Sequence, residues 1–492
     1  MRVRHTVVIS DVHLAEAEPR EDEWLRWRQR RFFPDVEFAA LAEALFARLG
    51  DDDRLDFVFD GDVFEFEAPK IIDGESFYDD PPRTEVDAVD RLARVINDHT
   101  LFFSTIAKIA GRGHRVVFVA GNHDAQLTFP AVEHELRQAI FRALPEGVDR
   151  ARADVVVQPW FYQTDDGIHV EHGHQYDAYC SFRDPLRPLD ANGREIQPTV
   201  GSLAFRHLVA RMGYFNAYDE RSFMLSLPRY LAHWVRYYLF TRRSLALTWF
   251  RGALRIVAEV VKSRPGRVLI AAIREQAAIT RAAYAKTLAL DAKALAAHSD
   301  LFAEPADADP HRVVREMRLD HAALAVVGVA GLITAAFKPK LGLLIALSAM
   351  VVGVAQELIA PKQPINGEYR TVDGVARSLA KIYDARAVVF GHTHIPHAKI
   401  ENGIVYANAG SWAPIMAPEK EDEIEARTAS TRGRPVVWLR TREDELDAPV
   451  EGGLYRFKDG ALYPQVVTVS ADDVEEVLAP LEPSVAAASR GR

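Results

Sequence analysis

Five short segments constrain this chain more than anything else in it. They are "TVVISDVH" (6–13), "LDFVFDGD" (55–62), "VVFVAGNHD" (116–124), "GIHVEHGH" (167–174) and "AVVFGHTH" (387–394). Each is an apolar run rich in Val, Ile or Phe that stops at Asp, Asn or His, in four cases beside a glycine. Runs of this length bounded by turn residues fit strands buried on both faces. Helical patterns lie between them, as in "FAALAEALFARLG" (38–50), where apolar residues recur at helical spacing and stop at a glycine. Alternating strands and helices imply an α/β layered core. Ligands of open α/β sheets bind beyond the carboxyl ends of the strands, so the polar ends of the five segments are expected to meet at one edge of one sheet. Two later segments, 403–412 and 434–441, read as strands that complete a sheet.

The strand ends offer Asp11 and His13, Asp62, Asn122 with His123 and Asp124, His172 and His174, and His392 and His394. Carboxylates mixed with imidazoles, and no thiolate, suit Mn, Fe or Zn better than Ca. There are too many donors for one tetrahedral ion. Two ions that share a carboxylate, about 3.5–4 Å apart as in two-metal hydrolases, fit the set better. The single cysteine, Cys180, excludes an internal disulfide and a cysteine-based zinc site. It reads as a small packing residue. His114 and His321 belong to no pattern.

Taken in order, D-x-H (Asp11 to His13), G-D (Gly61-Asp62), G-N-H-D (Gly121 to Asp124), H-G-H (His172 to His174) and G-H-T-H (Gly391 to His394) resemble the calcineurin-like metallophosphoesterase superfamily. The resemblance covers 1–180 and 375–470. It implies a four-layer α/β/β/α sandwich, with one metal held by Asp11, His13 and His394. A second metal would be held by Asn122, His172 and His392, with Asp62 bridging. A hydroxide between the ions would then attack phosphorus in line. His123 would be a non-ligand imidazole that protonates the leaving oxygen or stabilises phosphoryl charge. Asp124 would orient it or shape the turn. Glu65 stands where relatives often carry an acid that supports this histidine, the other reading being a solvated or outer carboxylate. His174 would donate to a metal ligand or to substrate, or be a plain turn histidine. "NAGSW" (408–412) resembles the family's Asn-Pro-Gly-Ser stretch, with Ala409 for the proline and a structural role.

More than two hundred residues separate the fourth and fifth segments, far beyond one crossover connection, so 181–374 reads as a large, mostly helical insertion. Between 200 and 290 there are fifteen Lys and Arg against four Asp and Glu, in a chain whose net charge is −10. Trp234, Tyr237, Tyr238, Phe240, Trp249 and Phe250 are interleaved with them. The overall acidity argues against a nucleic-acid partner. Two apolar segments follow, 322–337 and 341–359, joined by Lys338-Pro339-Lys340 as a helical hairpin. At 16 and 19 residues they fall short of the roughly 20 needed to span a bilayer. Spanning would also carry both lysines to the far side, against the positive-inside tendency. A shallow or re-entrant hairpin on an anionic membrane is one reading, with arginines on head groups and aromatics at the interface. The other is a helical cap buried in protein or in a dimer. The N-terminal "MRVRHTVVISDVHL" reads as a first strand and not a secretion signal, which points to the cytoplasm, with peripheral or monotopic attachment. The tail, 471–492, is Ala-, Ser-, Pro- and Arg-rich and is expected to fray.

The expected function is a two-metal phosphoesterase acting on a phosphodiester or pyrophosphate, membrane-associated or lipid-linked. "GDVFE" (61–65) and the basic, apolar insertion look like UDP-2,3-diacylglucosamine pyrophosphatases, which usually carry Arg where this chain has His123 and have a much smaller cap. Two rivals stand beside it. One is a soluble phosphomonoesterase or protein phosphatase with a helical cap. The other is a membrane-binding scaffold with a vestigial metal site.

Overall fold

The computed structural model describes residues 3–18, 28–77, 82–190, 192–211, 245–263, 267–316, 319–359, 367–414, 433–442 and 448–465. Trp234, Tyr237, Tyr238, Phe240 and the tail 471–492 lie outside them. The N-terminal half contributes β1 (Val3–Ile9), α1 (Asp35–Phe46), β2 (Arg54–Asp60), the short hairpin β3 (Lys70–Ile72) and β4 (Glu75–Phe77), α2 (Glu85–Asp98) and α3 (Thr100–Gly111). β5 (Arg115–Val119), α4 (Pro130–Arg142), β6 (Asp154–Gln158), β7 (Phe161–Gln163) and β8 (Ile168–Glu171) follow. Between β8 and the return of the chain to the sheets lie α5 (Val200–His207), α6 (Leu245–Ser263), α7 (Arg267–Thr287), α8 (Ala292–Ser299), α9 (Pro310–Glu316), α10 (Leu319–Ala335) and α11 (Pro339–Ile359). The chain returns through α12 (Gly367–Tyr383), β9 (Ala387–Phe390), β10 (His397–Glu401), β11 (Ile404–Asn408), β12 (Arg434–Arg442), β13 (Glu451–Lys458) and β14 (Ala461–Gln465).

Apart from the β3-β4 hairpin, the strands form two sheets, as the four-layer resemblance implies, and the five chemistry-bearing segments are divided between them rather than sharing one. Seven are ordered β14-β13-β12-β1-β2-β5-β6 and five are ordered β10-β11-β9-β8-β7. β1, β2, β5 and β6 pair in parallel, and so do β8, β9 and β11. The continuous apolar runs are explained by the strand's period of two, which gives each run one face toward the other sheet and one toward helices. Val8, Val58 and Val117 meet Val170, Val389 and Ala407 between the sheets. Their neighbours Ile9, Phe59 and Phe118 turn outward against Phe38, Phe102 and Leu136 of α1, α3 and α4. On the far side, Val388 and Phe390 pack against Val375 and Leu379 of α12. The result is four layers, helix, sheet, sheet, helix.

Helices α5 to α9 pack both on this body and on one another. Ala285 and Leu295 pack on Trp160 and Phe161. Val200 and Leu203 of α5 pack on Ile256 and Val260 of α6 and Val313 of α9. α10 and α11 form the expected hairpin, with Pro339 as the first residue of α11, where its missing N–H is harmless. Their backbones approach so closely that a Cβ on Gly342 would stand 2.1 Å from Ala335 N, and one on Gly331 2.7 Å from Ala346 N. Beyond that mutual contact the hairpin is open to solvent: Val326, Leu332, Ile333, Phe337, Leu344 and Val351 are all more than half exposed.

Candidate metal centre

The parallel strands end side by side, and the loops that follow them are stitched together by backbone hydrogen bonds. Asp11 N donates to Gly61 O (3.1 Å), His13 N to Asp62 O (2.9 Å), and Gly391 N to His172 O (3.1 Å). Two sheets therefore deliver their polar ends to one place: β1, β2 and β5 run parallel in one, β8 and β9 run parallel in the other, and His172 Nε2 comes within 4.0 Å of Asp11 Oδ1. Asp11, His13, Asp62, His392 and His394 all hold φ between 50° and 63°. The left-handed region is uncommon for residues other than glycine and each such residue stores about 1–3 kcal/mol of strain, which typically persists at functional sites. Gly61 has φ 77°, and a Cβ there would stand 2.4 Å from the His172 ring.

Six of the seven expected ligands fall into two groups around this point, Asp11, His13 and His394 in one and Asp62, His172 and His392 in the other. In the first, Asp11 Oδ1 lies 3.0 Å from His394 Nε2 and 3.8 Å from His13 Nε2, and the two imidazole nitrogens are 3.4 Å apart. In the second, His172 Nε2 lies 3.1 Å from Asp62 Oδ2, and its ring centre 5.3 Å from that of His392. Asn122 follows Gly121, where a Cβ would stand 2.2 Å from Asp62 Oδ1. All seven are buried or half-buried. Asp11 Oδ1, Asn122 Oδ1 and His172 Nε2 are buried without a hydrogen-bond partner. Buried polar atoms are rarely left unmatched, and an N/O donor set of this kind fits divalent cations. His172 Nδ1 is held by Asp60 O at 2.8 Å, which leaves Nε2 as the ring atom facing the site.

The electrostatics of the bare protein point the same way. Burial raises the Asp62 carboxyl, but the neighbouring His172 and His123 imidazoles overcome it and hold Asp62 well below the usual range. Burial likewise opposes the shift of Asp11, which His394 and His172 pull down. Burial depresses His172, yet Asp62 and Asp11 raise it well above the ordinary histidine value. Anionic carboxylates packed among imidazoles call for positive charge, and cations can supply it.

Around the two groups, Glu65 is fully enclosed and holds two rings at once. Its carboxylate lies 3.1 Å from His13 Nδ1 and 2.9 Å from His123 Nδ1. Burial lowers His123, but Glu65 and Asp62 outweigh it and raise the imidazolium to about 10. Asp124, expected among the catalytic groups, touches no histidine side chain by hydrogen bond. It accepts from the N–H groups of Gly121 (2.6 Å), Asp62 (3.3 Å), Val63 (2.7 Å) and Phe64 (3.3 Å), so of its two readings the structure gives the turn-shaping one. His174 is buried beside His172 and His392, with Gln175 at 3.0 Å on Nε2. Burial and those two rings hold it well below the ordinary value, so it is a neutral imidazole. Asn408 donates to Gly391 O (2.6 Å) and Thr393 Oγ1 (3.0 Å) and pins the last ligand loop.

Two groups escape the sequence reading. Asp177, five residues past His172, lies 3.2 Å from His392 Nε2 and is joined by the Cys180 thiol, so the lone cysteine is not simply packing. Deeper in, Glu171 receives His169 Nε2 (3.1 Å) and His298 Nε2 (2.9 Å), while Tyr176 and Tyr383 hydroxyls meet His298 at 2.8 and 2.9 Å. This network, in which His169 Nδ1 has no hydrogen-bond partner, fastens α8 to β8. A histidine on a distant helix gives no local signal of that contact. Residues 4–222 match the family model described as calcineurin-like phosphoesterase. No curated protein matches the chain.

Proposed function

Residues 4–222 belong to the calcineurin-like phosphoesterase family, which makes the protein a metal-dependent phosphohydrolase, and on that premise we propose that it hydrolyses a phosphodiester or pyrophosphate bond in a lipid-linked substrate at an anionic membrane surface. The observation that carries the chemistry is the convergence of two donor groups with unmatched buried atoms. Asp11, His13 and His394 would hold one divalent ion, and Asn122, His172 and His392 a second, with Asp62 between them; Mn is the first choice, with Fe and Zn the others. When bound, the ions would neutralise phosphoryl charge and acidify water for in-line attack. His123, held by Glu65, has its remaining nitrogen available to a leaving oxygen, which it would protonate. Asp124 fixes the turn that presents Asp62.

The membrane part of the reading is supported by the hairpin. Pro339–Gln356 has a mean hydropathy of 1.6 with 11% of the stretch buried, and is long and apolar enough to cross a bilayer. α10 beside it is equally bare. Fourteen large apolar side chains of the hairpin are exposed, and moving them out of water yields on the order of 10 kcal/mol or more at about 25 cal/mol per Å², which an aqueous surface forgoes. Lys338 and Lys340 at the tip and the basic 200–290 region complement anionic lipid. Phosphate groups that join a lipid to a head group are linked on both sides, hence diesters or pyrophosphates.

The test is hydrolysis of an aryl phosphodiester and an aryl phosphomonoester in Mn²⁺, each with and without anionic liposomes. Diester preference that rises with liposomes, with the protein sedimenting alongside them, is the expected result. Monoester preference indifferent to liposomes would overturn the membrane reading in favour of a soluble phosphomonoesterase or protein phosphatase with a helical cap. Liposome binding with no turnover of either ester would favour the scaffold.

A further inference from the structure

α5 is the first α-helix after β8, and three side chains in succession tie it to the catalytic body. The Phe205 ring meets the His123 ring edge to face, with centroids 5.1 Å apart. The Arg206 guanidinium, 1% exposed, donates to Glu67 O at 2.9 Å. His207 pairs with Glu259 of α6 at 2.9 Å, and Glu259 pairs with Arg83 at 2.6 Å. The helix is capped by Thr199 Oγ1, which accepts from Ser202 N at 3.0 Å. Its end is wedged against α6, where a Cβ on Gly252 would stand 2.7 Å from His207 O. An eight-residue helix is marginal on its own, but this one is fixed on every side.

The consequence falls on His123. Glu65 grips its Nδ1, and the His13 ring stands perpendicular to it at 4.9 Å. The Phe205 ring, buried at 6% exposure, is a third contact on the same imidazole, and the one that comes from α5. Edge-to-face aromatic pairs contribute about 0.5–1.5 kcal/mol beyond their burial, and a misplacement of about 1 Å at a reacting group is felt strongly in rate.

We infer that Phe205, supplied by α5, is a positioning residue that holds the His123 imidazole where it can protonate the leaving oxygen. The inference rests on the two-metal phosphoesterase reading and adds to it that α5, a helix outside the strand-end loops, completes the active site. The proton moves from His123 to the oxygen of the breaking P–O bond, and water supplies the new P–O bond and restores the proton. A histidine in this role matters most when the leaving group is a poor one. Phe205→Leu keeps apolar bulk on α5 while removing the ring, and Phe205→Ala removes both.

Each variant is assayed in Mn²⁺ on aryl phosphodiesters that release 4-nitrophenol, a good leaving group, or phenol, a poor one. Leu203→Ala, on the same helix but packed toward α6, is the control for loosening of α5. Phe205→Leu is expected to lower kcat on the phenyl ester about ten-fold or more and on the 4-nitrophenyl ester less than about three-fold, with KM and metal content unchanged. Leu203→Ala is expected to lower both esters by one common factor. Equal losses on both esters for Phe205→Leu, or no loss on either, would overturn the inference. A wild-type protein that hydrolyses no phosphate ester with any divalent metal would instead overturn the underlying reading, so the two failures are distinguishable.

Discussion

Replacing Glu65 with Gln alters one buried group that serves two histidines. As a carboxylate Glu65 accepts from both His13 Nδ1 (3.1 Å) and His123 Nδ1 (2.9 Å). The amide of Gln has one acceptor oxygen and one donor nitrogen, so it can accept from one ring but must donate to the other. One histidine then takes the opposite tautomer. If it is His13, Nε2 gains a proton and is lost to the first metal. If it is His123, the ring can no longer carry a proton on both nitrogens beside a negative partner. Burial raises Glu65, yet His123 and His13 hold it below the usual carboxylate range, so both bonds are charge-assisted. Each is worth about 1.5–3 kcal/mol, and losing one corresponds to roughly ten- to a hundred-fold. Outer-shell substitutions of this kind weaken metal affinity or activity by a similar 10–100-fold. The expected outcome for Glu65→Gln is therefore a loss of about 10²-fold in kcat/KM on an aryl phosphodiester, with at least one metal bound less tightly by titration. Folding should survive, because a neutral amide is easier to bury than a charge. Activity within two-fold of wild type, with both metals retained at equal affinity, would refute the reasoning that Glu65 sets the state of both rings.

Two further expectations follow from neighbouring geometry. Asp62→Asn places an amide between the two donor groups and should abolish nearly all turnover and reduce metal content below that of wild type by elemental analysis, while liposome sedimentation persists; full activity would show that Asp62 does not bridge. Glu259 is pulled to about 2 by its hydrogen bond to His207 foremost, and also by Arg83, against the opposing effect of burial. Because the folded value is depressed, its contribution is complete above the ordinary glutamate range and fades as pH falls from about 4.5 toward 2. With the group only half buried, solvent screening reduces the effect to about 1 kcal/mol. Thermal unfolding of wild type and Glu259→Gln should therefore converge toward pH 2 and separate above pH 5; a constant gap across that range would exclude the linkage.

Much of the candidate site is legible in the sequence because strand ends in an α/β core carry their chemistry in short contiguous motifs. Asp11, His13, Asp62, Asn122, His172, His392 and His394 can be picked out one segment at a time, since each lies within a few residues of the apolar run that delivers it. The apolar hairpin is legible for the same reason, composition being local. What the sequence could not decide is how separate segments meet. Period-two runs buried on both faces look the same whether the strands share one sheet or are divided between two; the motif resemblance implied two, and strand pairing decided that β8 and β9 belong to the second. The choice between orienting His123 and shaping the turn, left open for Asp124, is a matter of four backbone N–H groups from two loops more than fifty residues apart. Asp177 at His392, His298 at Glu171 and Phe205 at His123 are each contacts across 80 or more residues, with no periodicity to announce them. Sequence by itself determined which atoms are available to hold metal, because side-chain chemistry is fixed residue by residue. Tertiary structure alone decided which of those atoms share a cavity and which neighbours hold them there, because packing joins groups that chain connectivity keeps apart.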